Sequence, residues 1–267
     1  MAEPWVWALA LAVLGAIFGS FIATLVIRWP AGRSVTRGRS QCDGCGKTLR
    51  PGELVPVLSF AVLRGKCAGC GAAIRVDHLA IELIGLAIGL TAGLVAPGIE
   101  GAAGAVFGWL LLALGALDLR AFWLPNVLTA ALALAGLATG SYGIAPPLTD
   151  RLLGGLGGFA SLWLVATVYR AIRHREGLGG GDPKLFGAIG LWLGWALLPM
   201  VLLAACMIGL SAVLGLQLGG RKLTATHQLP LGTLLAVAAW TIWLGLAVSE
   251  PAPAVATTIY IVPGQNR

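Results

Sequence analysis

Two aspartates and four cysteines are the residues of this sequence whose types and spacing could do chemistry. Asp182 stands in GLGGGDPKLFGAIG, behind three glycines and at the head of an otherwise apolar stretch. Asp118 stands in ALDLRAFWLPN, where another long apolar run ends. Ionisable groups at membrane depth are costly to hold and usually serve a function. If both acids sit at the same face of a helix bundle, they can meet across a cleft. Close carboxylates do not both ionise cheaply, so they share a proton and titrate as a pair. One then acts as general base on a water, and the other protonates the reacting carbonyl or the leaving amine. That is aspartyl-protease chemistry. Gly179, Gly180 and Gly181 would let the backbone of such a cleft come close to a substrate peptide. Each acid also has a plainer reading. Asp182 followed by Pro183 is a good helix N-cap, a role compatible with catalysis, and Asp118 alone could be a loop charge. Glu82, one turn into its apolar run, reads as a structural ion pair with Arg28 or Arg75.

The cysteines Cys42, Cys45, Cys67 and Cys70 form C-x2-C-x21-C-x2-C, in QCDGCGKTL and KCAGCGAAI. A glycine follows the second cysteine of each pair. Two such knuckles place four thiolates around one zinc ion with no open position, so the metal is expected to be structural. About fifty residues bury little core, and a metal staples small folds. The alternative is a pair of disulfides or redox couples, which a reducing compartment disfavours. Cys206, among Leu, Ala and Met, reads as an inert packing residue.

The elements that must position these groups are apolar helices. Of the 267 residues, 58% are hydrophobic and 11% charged, with mean hydropathy +0.88. A soluble domain carries about 25% charged residues, so this chain cannot solvate a globular surface. Apolar runs near 20 residues recur along it, each able to cross about 30 Å of hydrocarbon. The expected fold is an all-α polytopic membrane protein of about eight spans, with a small zinc-ribbon-like insert between the first and second. Its 39 glycines suit close helix packing. The net charge is +7, and nine of the 18 Lys and Arg lie between Arg28 and Arg75. That places the insert in the cytoplasm. The basic charges have no interleaved aromatic face, so nucleic acid is not an expected partner.

The expected spans run about 5–27, 78–96, 102–117, 124–142, 152–171, a short sixth and a full seventh divided at Leu198-Pro199, and 231–248. Pro125 suits the first turn of the fourth. This count puts Arg221 and Lys222 inside with the other basic loops and leaves Arg151 as the exception. The N-terminus, without a basic n-region or a clear cleavage site, reads as a retained first helix that starts outside; the C-terminus should lie outside too. The expected domains are a first transmembrane helix over 1–28, the four-cysteine domain over 29–77 and a transmembrane catalytic domain over 78–267. Gly154, Gly155, Gly157 and Gly158 read as helix-packing surfaces, because no strand precedes them and no Lys-Ser/Thr follows. There is no H-E-x-x-H and no G-x-S-x-G. His78, His174 and His227 read as interfacial polar residues.

These motifs, in this order, resemble the type IV prepilin peptidases, the leader peptidase/N-methyltransferases with a GxGD-type aspartyl protease site. GSFIATLVIRWP resembles the first-helix signature, and the segment from RSQCDGCGKTL to KCAGCGAAI the cysteine-bearing domain. ALDLRAFWLPN and GGGD match the two catalytic segments, and KLFGAIGLWLGW and LPLGTLLA match later ones. The resemblance covers nearly the whole chain and implies Asp118 and Asp182 as the catalytic pair. It implies prepilin or type II secretion pseudopilin substrates, cut after a glycine at the cytoplasmic face of the bacterial inner membrane. An apolar helix of the substrate is expected to enter beside the spans. Family members with four cysteines commonly also methylate the new N-terminus from S-adenosylmethionine; no local motif marks that site. The sequence departs from the pattern at Ala23, often Asn, at IRVDHLAIE, and at Asn126, where Asp is frequent. The other classes weighed are a transporter or channel with a cytoplasmic zinc ribbon, and a non-catalytic secretion assembly subunit. Oligomeric state is not encoded in any motif.

Overall fold

The computed structural model describes residues 3–35, 40–42, 44–220 and 228–249. Arg221, Lys222, His227 and the C-terminal end, for which the sequence predicts sides of the membrane, lie outside the described residues. Nine α-helices occur among them: α1 Pro4–Arg28, α2 Leu58–Val62, α3 Val76–Val95, α4 Ile99–Ala121, α5 Asn126–Ser141, α6 Leu148–Arg173, α7 Asp182–Leu193, α8 Leu198–Leu218 and α9 Leu231–Ser249. Six of these are long and apolar enough to cross a membrane: α1, α3, α4, α6, α8 and α9. Two of the eight expected spans are shorter than a full crossing, the 16-residue α5 and the 12-residue α7, which at 1.5 Å per residue is about 18 Å long, and α2 belongs to the insert.

The helices alternate in direction, so one end of the bundle gathers the C-termini of α1, α4 and α6 with the N-termini of α3, α5, α7 and α9. Arg120 of α4 reaches Asp77 of α3 at 3.6 Å, and Lys184 of α7 donates to Asn126 of α5 at 2.8 Å. The cysteine insert joins α1 to α3 at this same end.

Two cores share α4, which buries 12 of its 23 residues. One gathers Leu11, Ile22, Ile88, Trp109 and Leu117 between α1, α3 and α4. The other gathers Phe107, Leu132, Leu185, Ile189, Val201 and Leu235 from α4 to α9. In lipid there is little hydrophobic drive between helices, so close backbone approach does the work. In α1 and α3, no Cβ fits at Gly15, Gly85 or Gly89 without striking the backbone oxygen of Gly85, Gly15 or Leu11. The α6–α7 contact uses Gly154 against the Gly190 carbonyl, Gly155 under Leu191 and Gly158 against the Phe186 carbonyl. Gly157 meets nothing and is not part of that surface.

The expected break in the long apolar run exists, but it falls at residues 194–197, where Gly194 takes φ +78, and Pro199 sits in the first turn of α8. Pro125 is the residue before α5 rather than in its first turn. Cys206 is exposed on α8, so it is not an interior packing residue.

The largest correction concerns Arg151. The sequence reads as if α6 began after it, leaving the arginine in a loop. The helix begins at Leu148, and Arg151 is 1% exposed. Its guanidinium donates to the carbonyls of Gly136, Ile144, Ala145, Pro146 and Leu191 at 2.7–2.9 Å. The group thus closes the end of α5, the α5–α6 turn and the last turn of α7. Backbone carbonyls away from water must find donors, and one five-donor fork supplies them.

Arg151→Ala strips five carbonyls of a donor at once. It is expected to cost about 3–5 kcal/mol, the range for removing one partner of a buried charged network. Lysine, with a compact head, is expected to restore little of this. Thermal melting in detergent checks it; wild-type melting of R151A would contradict the account.

Candidate active site

Asp118 lies in the last turn of α4, not beyond it, and is 5% exposed. Helix α4 continues to Ala121 and ends where Phe122 turns left-handed, at φ +48. The Asp118 carboxylate reaches α9. Its Oδ2 accepts the backbone N–H of Thr233 at 2.8 Å and the Thr233 hydroxyl at 3.3 Å. That hydroxyl also lies 2.8 Å from the carbonyl of Gly115, one turn before Asp118. Thr233 is the third residue of α9, so its N–H has no acceptor within the helix. Asp118 therefore caps α9 from another helix, at the end where the peptide dipoles attract negative charge. Gly232 is needed there: a Cβ on it would lie 3.0 Å from Asp118 Cγ and from Leu124 Cδ1.

Asp182 is the first residue of α7 and is 7% exposed. The expected cap is not made, because the helix has no side-chain cap bond. The carboxylate instead turns back, and Oδ2 accepts the N–H of Gly179 at 3.0 Å. The Asp182 N–H in turn donates to the Gly179 carbonyl at 3.2 Å. The three glycines thus differ. Gly179 holds the carboxylate, Gly180 has open space on its Cβ side, and Gly181 packs on Leu124, where a Cβ would sit 2.7 Å from the leucine Cβ.

Leu124 connects the two acids. Its side chain touches Gly181, which precedes Asp182, and Gly232, which abuts Asp118. Two buried acids from separate helices, each with one oxygen held by a backbone N–H, thus face one small region at the insert end.

Thr233, Gly232 and Leu124 were not singled out from residue chemistry. The segments LPLGTLLA, with Gly232 and Thr233, and ALDLRAFWLPN, with Leu124, carried them only as part of a resemblance, because a backbone N–H leaves no mark on residue type.

The four cysteines converge. Their sulfurs all lie within 4.8 Å of one another, none forms a disulfide, and Cys42 Sγ is 3.8 Å from Cys70 Sγ. Tetrahedral zinc with bonds of about 2.3 Å sets sulfurs about 3.8 Å apart. The two knuckles repeat each other. Cys42 N–H donates to Lys47 O and Cys67 N–H to Ala72 O, while Gly46 N–H returns to Cys42 O and Gly71 N–H to Cys67 O, all at 2.8–2.9 Å. Gly46 and Gly71 take φ +69 and +72, which explains the glycine after each second cysteine. Gly44 and Gly69 donate N–H to Cys42 and Cys67 Sγ at 3.4 and 3.3 Å. Backbone N–H groups of Cys70 and Gly69 hold the Cys67 thiol down to about 6, while Cys70, despite the Ala72 N–H, is pushed up to about 11 by the Cys45 sulfur and burial; the thiols share their protons, which a metal would displace. This donor set fits zinc.

The insert docks through Glu82, whose partner is neither Arg28 nor Arg75. Glu82 Oε1 lies 3.3 Å from His78 Nε2, and Oε2 accepts the Val57 N–H at 2.8 Å. A ring on the next turn and a loop amide satisfy the acid, while Arg75 pairs with Asp77 at 2.6 Å. His78 is thus a defined partner, also within 3.5 Å of the Ser20 hydroxyl. Val57 sits at φ +63 in a tight turn closed by Leu58 N–H to Pro56 O at 2.6 Å. A β-branched residue rarely holds that conformation, and the bond to Glu82 is what holds it here.

Comparisons with known proteins agree with this architecture. Residues 13–95 match the bacterial peptidase A24 N-terminal domain, and residues 105–215 match the type IV leader peptidase family. A prepilin leader peptidase/N-methyltransferase of Dickeya chrysanthemi is 36% identical, over 88% of this chain and 91% of the relative. Proteins of the same name from Burkholderia pseudomallei and Pseudomonas aeruginosa are 37% and 33% identical, over 84% and 90% of this chain and 81% and 90% of the relatives. No solved structure matches the chain.

Purified protein is expected to hold one zinc per chain by elemental analysis. Cys67→Ser should lower that content sharply, and strong chelators should expose the insert to protease before the helices. Metal-free protein with an equally protected insert would refute the assignment.

Proposed function

Because this chain belongs to the type IV leader peptidase family, we propose that it cuts the leader from prepilins and methylates the new N-terminus, with Asp118 and Asp182 as the peptidase pair. The observation that carries the peptidase site is the pair itself: two buried carboxylates, from α4 and α7, flanking Leu124 at one end of the bundle. One carboxylate takes a proton from a water whose oxygen adds to the scissile carbonyl. The other gives its proton to the amine as the C–N bond breaks. Each acid is held through Oδ2 by a backbone N–H. This fixed placing is what such a mechanism needs, since reacting groups must be held within fractions of an ångström.

The insert, with nine of the 18 basic residues in or beside it, supports a cytoplasmic placement of this end of a multi-pass inner-membrane protein. Zinc on Cys42, Cys45, Cys67 and Cys70 would set the shape of the insert and take no part in hydrolysis, since four thiolates leave no open position. S-adenosylmethionine is the methyl donor of this reading, and pseudopilins are a further substrate class. The prepilin lies in the bilayer beside the spans with its leader toward the insert.

Asp118→Asn and Asp182→Asn are each expected to abolish prepilin cleavage, read by gel shift and N-terminal mass, while the protein still inserts in the membrane. Normal cleavage by either variant would sink the pair. Gly232→Ala pushes a methyl against Asp118 and Leu124 and is expected to slow cleavage about tenfold to a hundredfold. A further gain of one methyl mass on the product reports the second activity separately.

A further inference from the structure

The cysteine insert carries an apolar face that nothing among the described residues covers. Helix α2 packs Phe60 against Gly65 and half-buries Leu63. Leu58 and Val62, four residues apart and so on one side of the helix, are 63% and 79% exposed. Leu54 and Val55, just before the helix, are exposed as well. A contiguous bare apolar patch marks an interaction site. Basic residues bracket this one: Arg50 before it, Arg64 and Lys66 after it, all exposed. The one acid between them, Glu53, is already taken by Lys47 at 2.9 Å and by the Arg50 N–H at 2.7 Å. The patch is thus apolar in the middle and cationic at its ends.

The spans fix where this face sits. Val57, the residue before α2, donates its N–H to Glu82 of α3. Glu82 in turn meets His78, which lies within 3.5 Å of the Ser20 hydroxyl of α1. Ser20 is not at the end of α1: eight residues of the helix follow it, about 12 Å at 1.5 Å per residue. Glu82 is likewise the seventh residue of α3. At this level both spans turn apolar side chains outward, Ile17 and Phe21 around Ser20, Leu83 and Ile84 beside Glu82, all exposed. The start of α2 is therefore tied below the ends of α1 and α3, at the boundary of the hydrocarbon.

We propose that α2 and the turn before it rest on the bilayer, with Leu54, Leu58 and Val62 among the acyl chains and Arg50, Arg64 and Lys66 on anionic headgroups. The occupant of the face is lipid of the same membrane that the spans cross. An apolar face with cations at its edges is the pattern of an interfacial helix, and long basic side chains reach headgroups from an apolar base. The depth of the Val57 tether selects lipid over a soluble partner, which would have to follow the insert into the interface. The insert then has two attachments, one polar to Glu82 and one apolar to lipid. The second keeps the four-cysteine fold from swinging on the first. The proposal does not rest on the peptidase reading, and its test does not use cleavage.

Full-length protein is reconstituted at one chain per nanodisc, without substrate, in mixed phosphatidylglycerol and phosphatidylcholine. A dansyl amino acid replaces Leu58 or Val62. Leu203, outward on α8, is the lipid control, and Glu176, in the α6–α7 loop, the water control. Lipids with a nitroxide near the headgroup should quench positions 58 and 62 at least about half as strongly as 203, and iodide should quench them several-fold less than 176. Removing phosphatidylglycerol should lower lipid quenching at 58 about twofold, and Arg64→Gln with Lys66→Gln should remove that dependence. Iodide quenching at 58 and 62 equal to that at 176 would overturn the proposal, since the face would then be open to water. Protection that appears only with two chains per disc, or only on adding prepilin, would overturn it in favour of a second copy or of substrate. Quenching at 58 that ignores phosphatidylglycerol would overturn the headgroup contacts.

Discussion

The hydrogen bond from the Thr233 backbone N–H to Asp118 joins residues 115 positions apart. Much of the proposed site depends on it. It couples the end of α4 to the start of α9 and buries a carboxylate against a helix terminus that needs an acceptor. The constraint is mutual: the helix start lacks a partner without the acid, and the acid lacks a donor without the helix start. Asp182 meets the same demand locally, by folding back on Gly179. Buried polar groups in a dry region must be satisfied, and here the backbone does it.

The same demand shapes the opposite end of the bundle. Arg151 answers five carbonyls where α5 and α7 finish and α6 begins. An arginine in that place joins three helices without a carboxylate partner, since backbone carbonyls are enough to seat its donors. The helices it ties include the one that begins with Asp182. Glycine contacts at α1–α3 and α6–α7 then set the spacing, because a single Cβ would separate the pairs. Positions of the acids thus depend on packing far from them.

The insert is a separate small structure with its own logic. Two copies of one knuckle, each closed by the same two backbone bonds, face their cysteines inward. Its link to the bundle is narrow: the Val57 amide on Glu82, itself bonded to His78. Asp77 lies between Arg75 at the edge of the insert and Arg120, two residues beyond Asp118. A path of polar contacts therefore runs from the four-cysteine insert to the helix that carries one of the acids.

Much of this was legible in the residues. Composition dictates a membrane bundle, because so few charges cannot cover a soluble surface. The cysteine spacing predicts one cluster of four thiols, since that chemistry lies in side chains paired close in sequence, and the four sulfurs converge. The isolation of Asp118 and Asp182 at the ends of apolar runs marks them, because an acid there is costly. What only the tertiary structure decided are the partners that are backbone groups or lie far along the chain. Thr233 as the donor to Asp118, Gly179 as the donor to Asp182 and Leu124 between them have no signature in residue type. Arg151 looked like a loop charge because its five acceptors are carbonyls, which every residue carries. Glu82 found a loop amide and a histidine in place of an arginine for the same reason. Sequence pattern reports which side chains must be buried or charged; which carbonyl or amide meets each is set only when the helices are packed.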